Sequence, residues 1–177
     1  KRRISRAVNI GRVVIGGGAP VVVQSMTKTD TRNVAATVRQ IRELEACGCE
    51  LVRLAVPDAE AATALRSIKK RTRVPLIADI HFDYRLALAA LEAGMDGLRL
   101  NPGNISDPDQ IAAVVKSARS RKVPIRIGVN AGSLPKRPAR GSVARRMVSA
   151  ALEQIALLES LDFDLIKISL NAFDVRT

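Results

Sequence analysis

Six short apolar runs, each separated from the next by a longer stretch, constrain this chain more than any other feature. The runs cover 20–25, 50–56, 75–80, 96–100, 124–129 and 164–170. The segments between them carry helical patterns over 34–46, 59–70, 84–92, 108–120 and 143–161. Strand and helix in strict alternation predict a parallel sheet with helical crossovers. Aromatic residues make up only 2% of the chain, so Val, Ile, Leu and Ala must build the core. Such residues suit strands buried on both faces beneath Ala- and Leu-rich helices.

Local punctuation agrees. Asp107 precedes Pro108, a capping residue followed by a favoured first helical residue. Gly48 and Gly94 stand where helices should end. The segments Arg73-Val74-Pro75-Leu76-Ile77-Ala78 and Lys122-Val123-Pro124-Ile125-Arg126-Ile127 echo one another two strand–helix units apart. That repetition favours a barrel of similar units. Ahead of them, 8–15 reads as a short ribbon around Asn9-Ile10-Gly11, followed by Gly16-Gly17-Gly18, which could plug the barrel bottom. The expected fold is α/β: a TIM-type (β/α) barrel, incomplete at about six of eight units, with a short N-terminal β-hairpin. A doubly wound sheet is the alternative, weakened by the lack of Gly-x-Gly-x-x-Gly after the first strand.

In a (β/α) barrel the C-terminal strand ends carry the site. Those ends here are rich in charge and amide. Arg53, Arg99, Arg126 and Lys167 each sit within an apolar strand, where a charge is costly to bury unless paired or bound to an ion. Alternation turns the flanking aliphatic residues to the other face, so the four cations can point into the barrel mouth. Converging guanidinium groups match phosphate oxygens. Asn101, Asn130 and the turns at Pro102-Gly103-Asn104 and Ala131-Gly132-Ser133 add amide donors. The competing reading pairs the cations with carboxylates, but the strands offer only Asp79 and the edge residues Asp96 and Asp164. Asp79 and His81 lie two apart on one strand face, as a proton donor with its carboxylate or as ligands for the bound molecule.

Lys and Arg number 29 against 17 Asp and Glu, a net charge of +12. Nucleic acid would be one partner for such a chain. The cations, however, gather at the N-terminus (Lys1, Arg2, Arg3, Arg6), at helix ends and in one loop, and helix C-termini attract cations through their dipole. Few aromatics also leave little for bases to stack on. Cys47 and Cys49 are too few for a metal site and too close for an ordinary disulfide, which fits a reducing, cytoplasmic setting. No apolar run is long enough for a membrane span.

The stretches Val23-Gln24-Ser25-Met26-Thr27, Leu51-Val52-Arg53-Leu54-Ala55-Val56-Pro57, Ala78-Asp79-Ile80-His81-Phe82-Asp83-Tyr84, Leu98-Arg99-Leu100-Asn101-Pro102-Gly103-Asn104 and Pro124-Ile125-Arg126-Ile127-Gly128-Val129-Asn130-Ala131-Gly132-Ser133-Leu134 closely resemble 4-hydroxy-3-methylbut-2-en-1-yl diphosphate synthases of the non-mevalonate isoprenoid pathway. The resemblance implies a two-electron reductive ring opening of 2-C-methyl-D-erythritol 2,4-cyclodiphosphate. It implies a [4Fe–4S] cluster, ferredoxin or flavodoxin as donor, and a homodimer for the full-length enzyme. Residues matching the family's barrel site are Arg53, Asp79, His81, Arg99, Asn101, Arg126, Asn130 and Lys167. Residues 1–177 would then be the N-terminal portion of the substrate-binding barrel. The family's cluster ligands, three cysteines and a glutamate in a C-terminal domain, have no counterpart here, so the isolated chain is expected to bind rather than turn over. A non-catalytic diphosphate-binding barrel module is the alternative. The short basic segment 135–142 departs from the family, and divergence around Leu170-Asn171-Ala172-Phe173-Asp174 leaves Ser169 and Asn171 outside the expected set.

Overall fold

The computed structural model describes residues 4–101, 105, 107–134 and 142–173. Lys1, Arg2, Arg3, the Pro102-Gly103-Asn104 turn, residues 135–141 and Asp174 lie outside them.

A hairpin of β1 (Val8–Ile10) and β2 (Val13–Ile15) comes first. It is followed by β3 (Gln24–Met26), α1 (Val34–Ala46), β4 (Leu51–Val56), α2 (Ala59–Lys70) and β5 (Leu76–Ile80). Then come α3 (Tyr84–Glu92), β6 (Gly97–Leu100), α4 (Pro108–Arg121), β7 (Ile125–Asn130), α5 (Val143–Ser160) and β8 (Ile166–Asn171). All six strands of the main sheet are parallel and ordered β3-β4-β5-β6-β7-β8. A doubly wound sheet reverses strand order part-way. No reversal occurs here, so the sheet winds in one sense, as in a (β/α) barrel.

The caps explain the helix bounds. Asp107 accepts hydrogen bonds from the Asp109 and Gln110 amides ahead of α4, and Asp58 and Asp83 cap α2 and α3 in the same way. Gly48 and Gly94 each follow a helix with φ of 85°, a left-handed conformation that glycine takes without a steric penalty.

The two sheet faces bury different cores. Val52, Leu54, Val56, Leu76, Ala78, Ile80, Leu98, Leu100, Ile125, Ile127 and Val129 face the helices in one aliphatic layer. Full burial of each Val, Leu or Ile contributes about 1.5–3 kcal/mol. The other face carries a second cluster, Leu51 and Ile77 packed with Ile10 of the hairpin. Val13, Ile15 and Val22 complete it, so the hairpin closes the bottom of the barrel as its sequence suggests.

The first strand of the main sheet is shorter than its apolar run and shifted toward the C-terminal end. The run at 20–25 yields a ladder only from Gln24 to Met26, because Pro20 has no amide proton and Val21 and Val23 are 85% and 55% exposed. Val23 still contributes, its carbonyl accepting from the Glu50 and Leu51 amides.

Candidate anion site at the strand ends

Strand register brings the polar residues together. Asp79 pairs with Arg99, Arg99 with Arg126, and Arg126 with Lys167. These four form one row across β5 to β8, on the face opposite the helix layer. Arg53 pairs with Ile77 and therefore sits one layer deeper than that row. The strand spacing of about 4.8 Å puts like charges side by side.

Asp79 is the hub. Its side chain is buried, its Oδ1 accepts from Arg99 Nη1 at 3.0 Å, and its Oδ2 lies 3.3 Å from Arg53 Nε. Arg99 is itself buried and also donates Nη2 to the Gly128 carbonyl at 3.1 Å. Arg53 has a second partner that composition conceals: its Nε and Nη2 point at the Met26 sulfur, at 3.3 and 3.1 Å. The other two acids considered from sequence are used elsewhere. Asp96 binds Lys69 and the Leu76 amide at the start of β5, and Asp164 pairs with Arg6.

Among the described residues one carboxylate, Asp79, is thus set against four cations. Among the described residues Arg126 and Lys167 form no ion pair with an acid. Arg126 Nε donates to Ser169 Oγ at 2.8 Å, a neutral partner that orients the guanidinium without cancelling its charge. Burial, then repulsion from Arg53 and Arg99, pushes the Arg126 pKa below its usual value. Burial, then Arg126 and Arg53, does the same to Lys167. An anion in the mouth would relieve both penalties.

Asn101 is buried at the end of β6, and Asn130 closes β7 opposite Asn171. His81 stands just beyond β5 in the same alternation as Asp79, and its ring meets Phe82 edge-on, the centroids 6.1 Å apart. Among the described residues no hydrogen bond joins His81 to Asp79, so the structure does not assemble the pair as a proton relay. Ser169, set aside from sequence, belongs to this face. Counting by two from Lys167 was the signal that could have included it.

The cluster ligands implied by the resemblance are not met by the described residues. No group of three His, Cys, Asp or Glu side chains gathers among them. Cys47 is exposed, while Cys49 is buried at the opposite strand end with its thiol on the Leu51 carbonyl. The described residues therefore do not fit an iron–sulfur cluster.

Residues 5–177 match the model of the GcpE TIM-barrel domain. The chain belongs to this family. The GcpE domain here is 64% identical over 177 residues to a protein of Dehalococcoides mccartyi named 4-hydroxy-3-methylbut-2-en-1-yl diphosphate synthase (flavodoxin), covering 99% of this chain and 51% of that protein. A protein of the same name from Thermodesulfovibrio yellowstonii is 57% identical, with 99% and 51% covered. The chain spans about half the length of the curated relatives it matches. Among solved structures, Yersinia pestis dihydropteroate synthase superposes with a TM-score of 0.70 at 10% identity, over 92% of this chain and 61% of that one. The enzyme from Xanthomonas albilineans gives 0.68 at 20%, over 93% and 64%. At these identities the likeness shows the barrel fold alone. No helix among the described residues is long and apolar enough to cross a membrane.

The depressed Lys167 pKa sets a pH dependence. A bound anion favours the charged amine and draws its pKa back up, so binding and proton retention are linked. Free Lys167 loses its proton below the ordinary 10.5. Pyrophosphate affinity should therefore fall as pH rises through the alkaline range toward that value. Calorimetry across this range should show the fall in the wild type and a flatter profile in Lys167→Met. Equal slopes in the two proteins would remove Lys167 from the site.

Proposed function

We propose that this chain is the substrate-binding barrel of a 4-hydroxy-3-methylbut-2-en-1-yl diphosphate synthase. In this reading it grips 2-C-methyl-D-erythritol 2,4-cyclodiphosphate while the ring is opened by two electrons. The observation that carries it is the row of Arg99, Arg126 and Lys167 above Arg53, with Asp79 as the one carboxylate among the described residues that pairs with these cations. Surplus positive charge in a partly buried mouth fits a diphosphate. Cleavage of the ring C–O bond leaves negative charge on a diphosphate oxygen, which fixed cations stabilise.

Arg53, Arg99, Arg126 and Lys167 would hold the phosphates, with Asn101 and Asn130 supplying amide donors. His81 and Asp79 remain the candidates for contact with the organic part. The [4Fe–4S] chemistry of such synthases would have to come from outside the described residues. Flavodoxin as donor is supported by the names of the relatives, and a cytoplasmic site by the two free cysteines.

Calorimetric titration with the cyclodiphosphate, set beside duplex DNA at two salt concentrations, tests the reading. Saturable binding of the cyclodiphosphate, with only weak and steeply salt-dependent DNA binding, is expected. Tight DNA binding without cyclodiphosphate binding would overturn it in favour of a nucleic-acid role.

A further inference from the structure

Gly128 lies two residues beyond Arg126 on β7, and so on the same face. A Cβ placed on it would stand 2.5 Å from Arg99 Nε, 3.1 Å from Nη2 and 3.2 Å from Cζ. All three nearest atoms belong to that one guanidinium. Its backbone is not among the positive-φ glycines, so alanine faces no conformational penalty there; the obstacle is space. Nor can Arg99 easily step aside. It is 8% exposed, tied to Asp79 on one side and to the Gly128 carbonyl on the other.

We infer that Gly128 is a positioning residue of the anion site, acting through Arg99. Its bare α-carbon forms the slot in which the guanidinium lies flat against β7, and its carbonyl fixes one edge of that group. Arg99 is thereby pinned between Asp79 and β7, one strand from Arg126. This rests on the anion-site reading above. A side chain at 128 would drive Arg99 off the row and spoil binding without removing any charge.

The test is a double-mutant cycle of Gly128→Ala and Arg99→Ala, with Arg126→Ala as control. Each protein is titrated with inorganic pyrophosphate and followed by thermal unfolding. Gly128→Ala and Arg99→Ala should each weaken pyrophosphate binding about tenfold or more. The double variant should bind no worse than Arg99→Ala alone. Gly128→Ala should lower the melting temperature in the wild-type background but not in the Arg99→Ala background. If Gly128→Ala alone fails to fold while the double variant folds, the steric coupling is upheld. Wild-type affinity in Gly128→Ala, multiplicative losses in the double variant, or a double variant that fails where Arg99→Ala folds would each overturn it. An unchanged affinity in Arg126→Ala sinks the anion-site reading instead, and the unfolding arm still decides whether Gly128 acts through Arg99.

Discussion

Arg126→Ala is expected to weaken cyclodiphosphate binding by about 30- to 100-fold, the equivalent of about 2–3 kcal/mol for charge-assisted hydrogen bonds lost from a partly buried site. Two effects compete in this variant. Arg126 is held by Ser169 and opposed by Arg53 and Arg99, so its removal relieves repulsion in the empty protein. Binding suffers because the same repulsion is what an anion neutralises. Apo stability should therefore hold or rise slightly while affinity collapses. That split separates a ligand-holding cation from a structural one, whose loss would lower both. Arg126→Lys should recover only part of the affinity, since an ammonium keeps the charge but not the planar fork. Calorimetry and urea unfolding on the same samples give both readouts. A variant that binds within about twofold of the wild type, well inside the loss expected from those bonds, would remove Arg126 from the site.

Period two in an aliphatic strand was enough to point Arg53, Arg99, Arg126 and Lys167 at one mouth, because it turns the Val, Leu or Ile residues on either side of each charge to the opposite face. The alternation of runs and helical stretches was likewise enough for a parallel sheet with helical crossovers, and the unreversed strand order decided for a barrel over a doubly wound sheet. What could not be read was depth. Whether Arg53 shares a layer with Arg99 depends on register between strands, and register follows from packing between elements distant in sequence. For the same reason Met26, in the neighbouring strand, could not be known as the partner of Arg53. Val21 and Val23 misled in the other direction: their β-branched character suggests a strand, yet both are exposed beside a ladder of three residues. Asp79 was legible as an acid in the right strand, but its joint hold on Arg53 and Arg99 was not.

That joint hold makes Asp79 the position where stability and binding should part company. Asp79→Asn leaves Arg99 and Arg53 in place without their carboxylate, and breaking a buried pair from one side typically costs 3–5 kcal/mol. Arg53 is 23% exposed in its side chain, so water recovers some of this and about 3 kcal/mol is expected from chemical denaturation. The amide oxygen of asparagine can still accept from Arg99 Nη1, which keeps the guanidinium near its place in the row. Meanwhile the positive charge facing the mouth grows by one. For an anion the gain in charge then outweighs the weakened hydrogen bond, and pyrophosphate should bind Asp79→Asn at least as tightly as the wild type. Asp79→Ala, which loses the acceptor as well, should be both less stable and a poorer binder. If Asp79→Asn instead loses affinity for the cyclodiphosphate while keeping it for pyrophosphate, the carboxylate touches the organic part of the substrate. Its role would then be contact, with counter-charge to the arginines secondary.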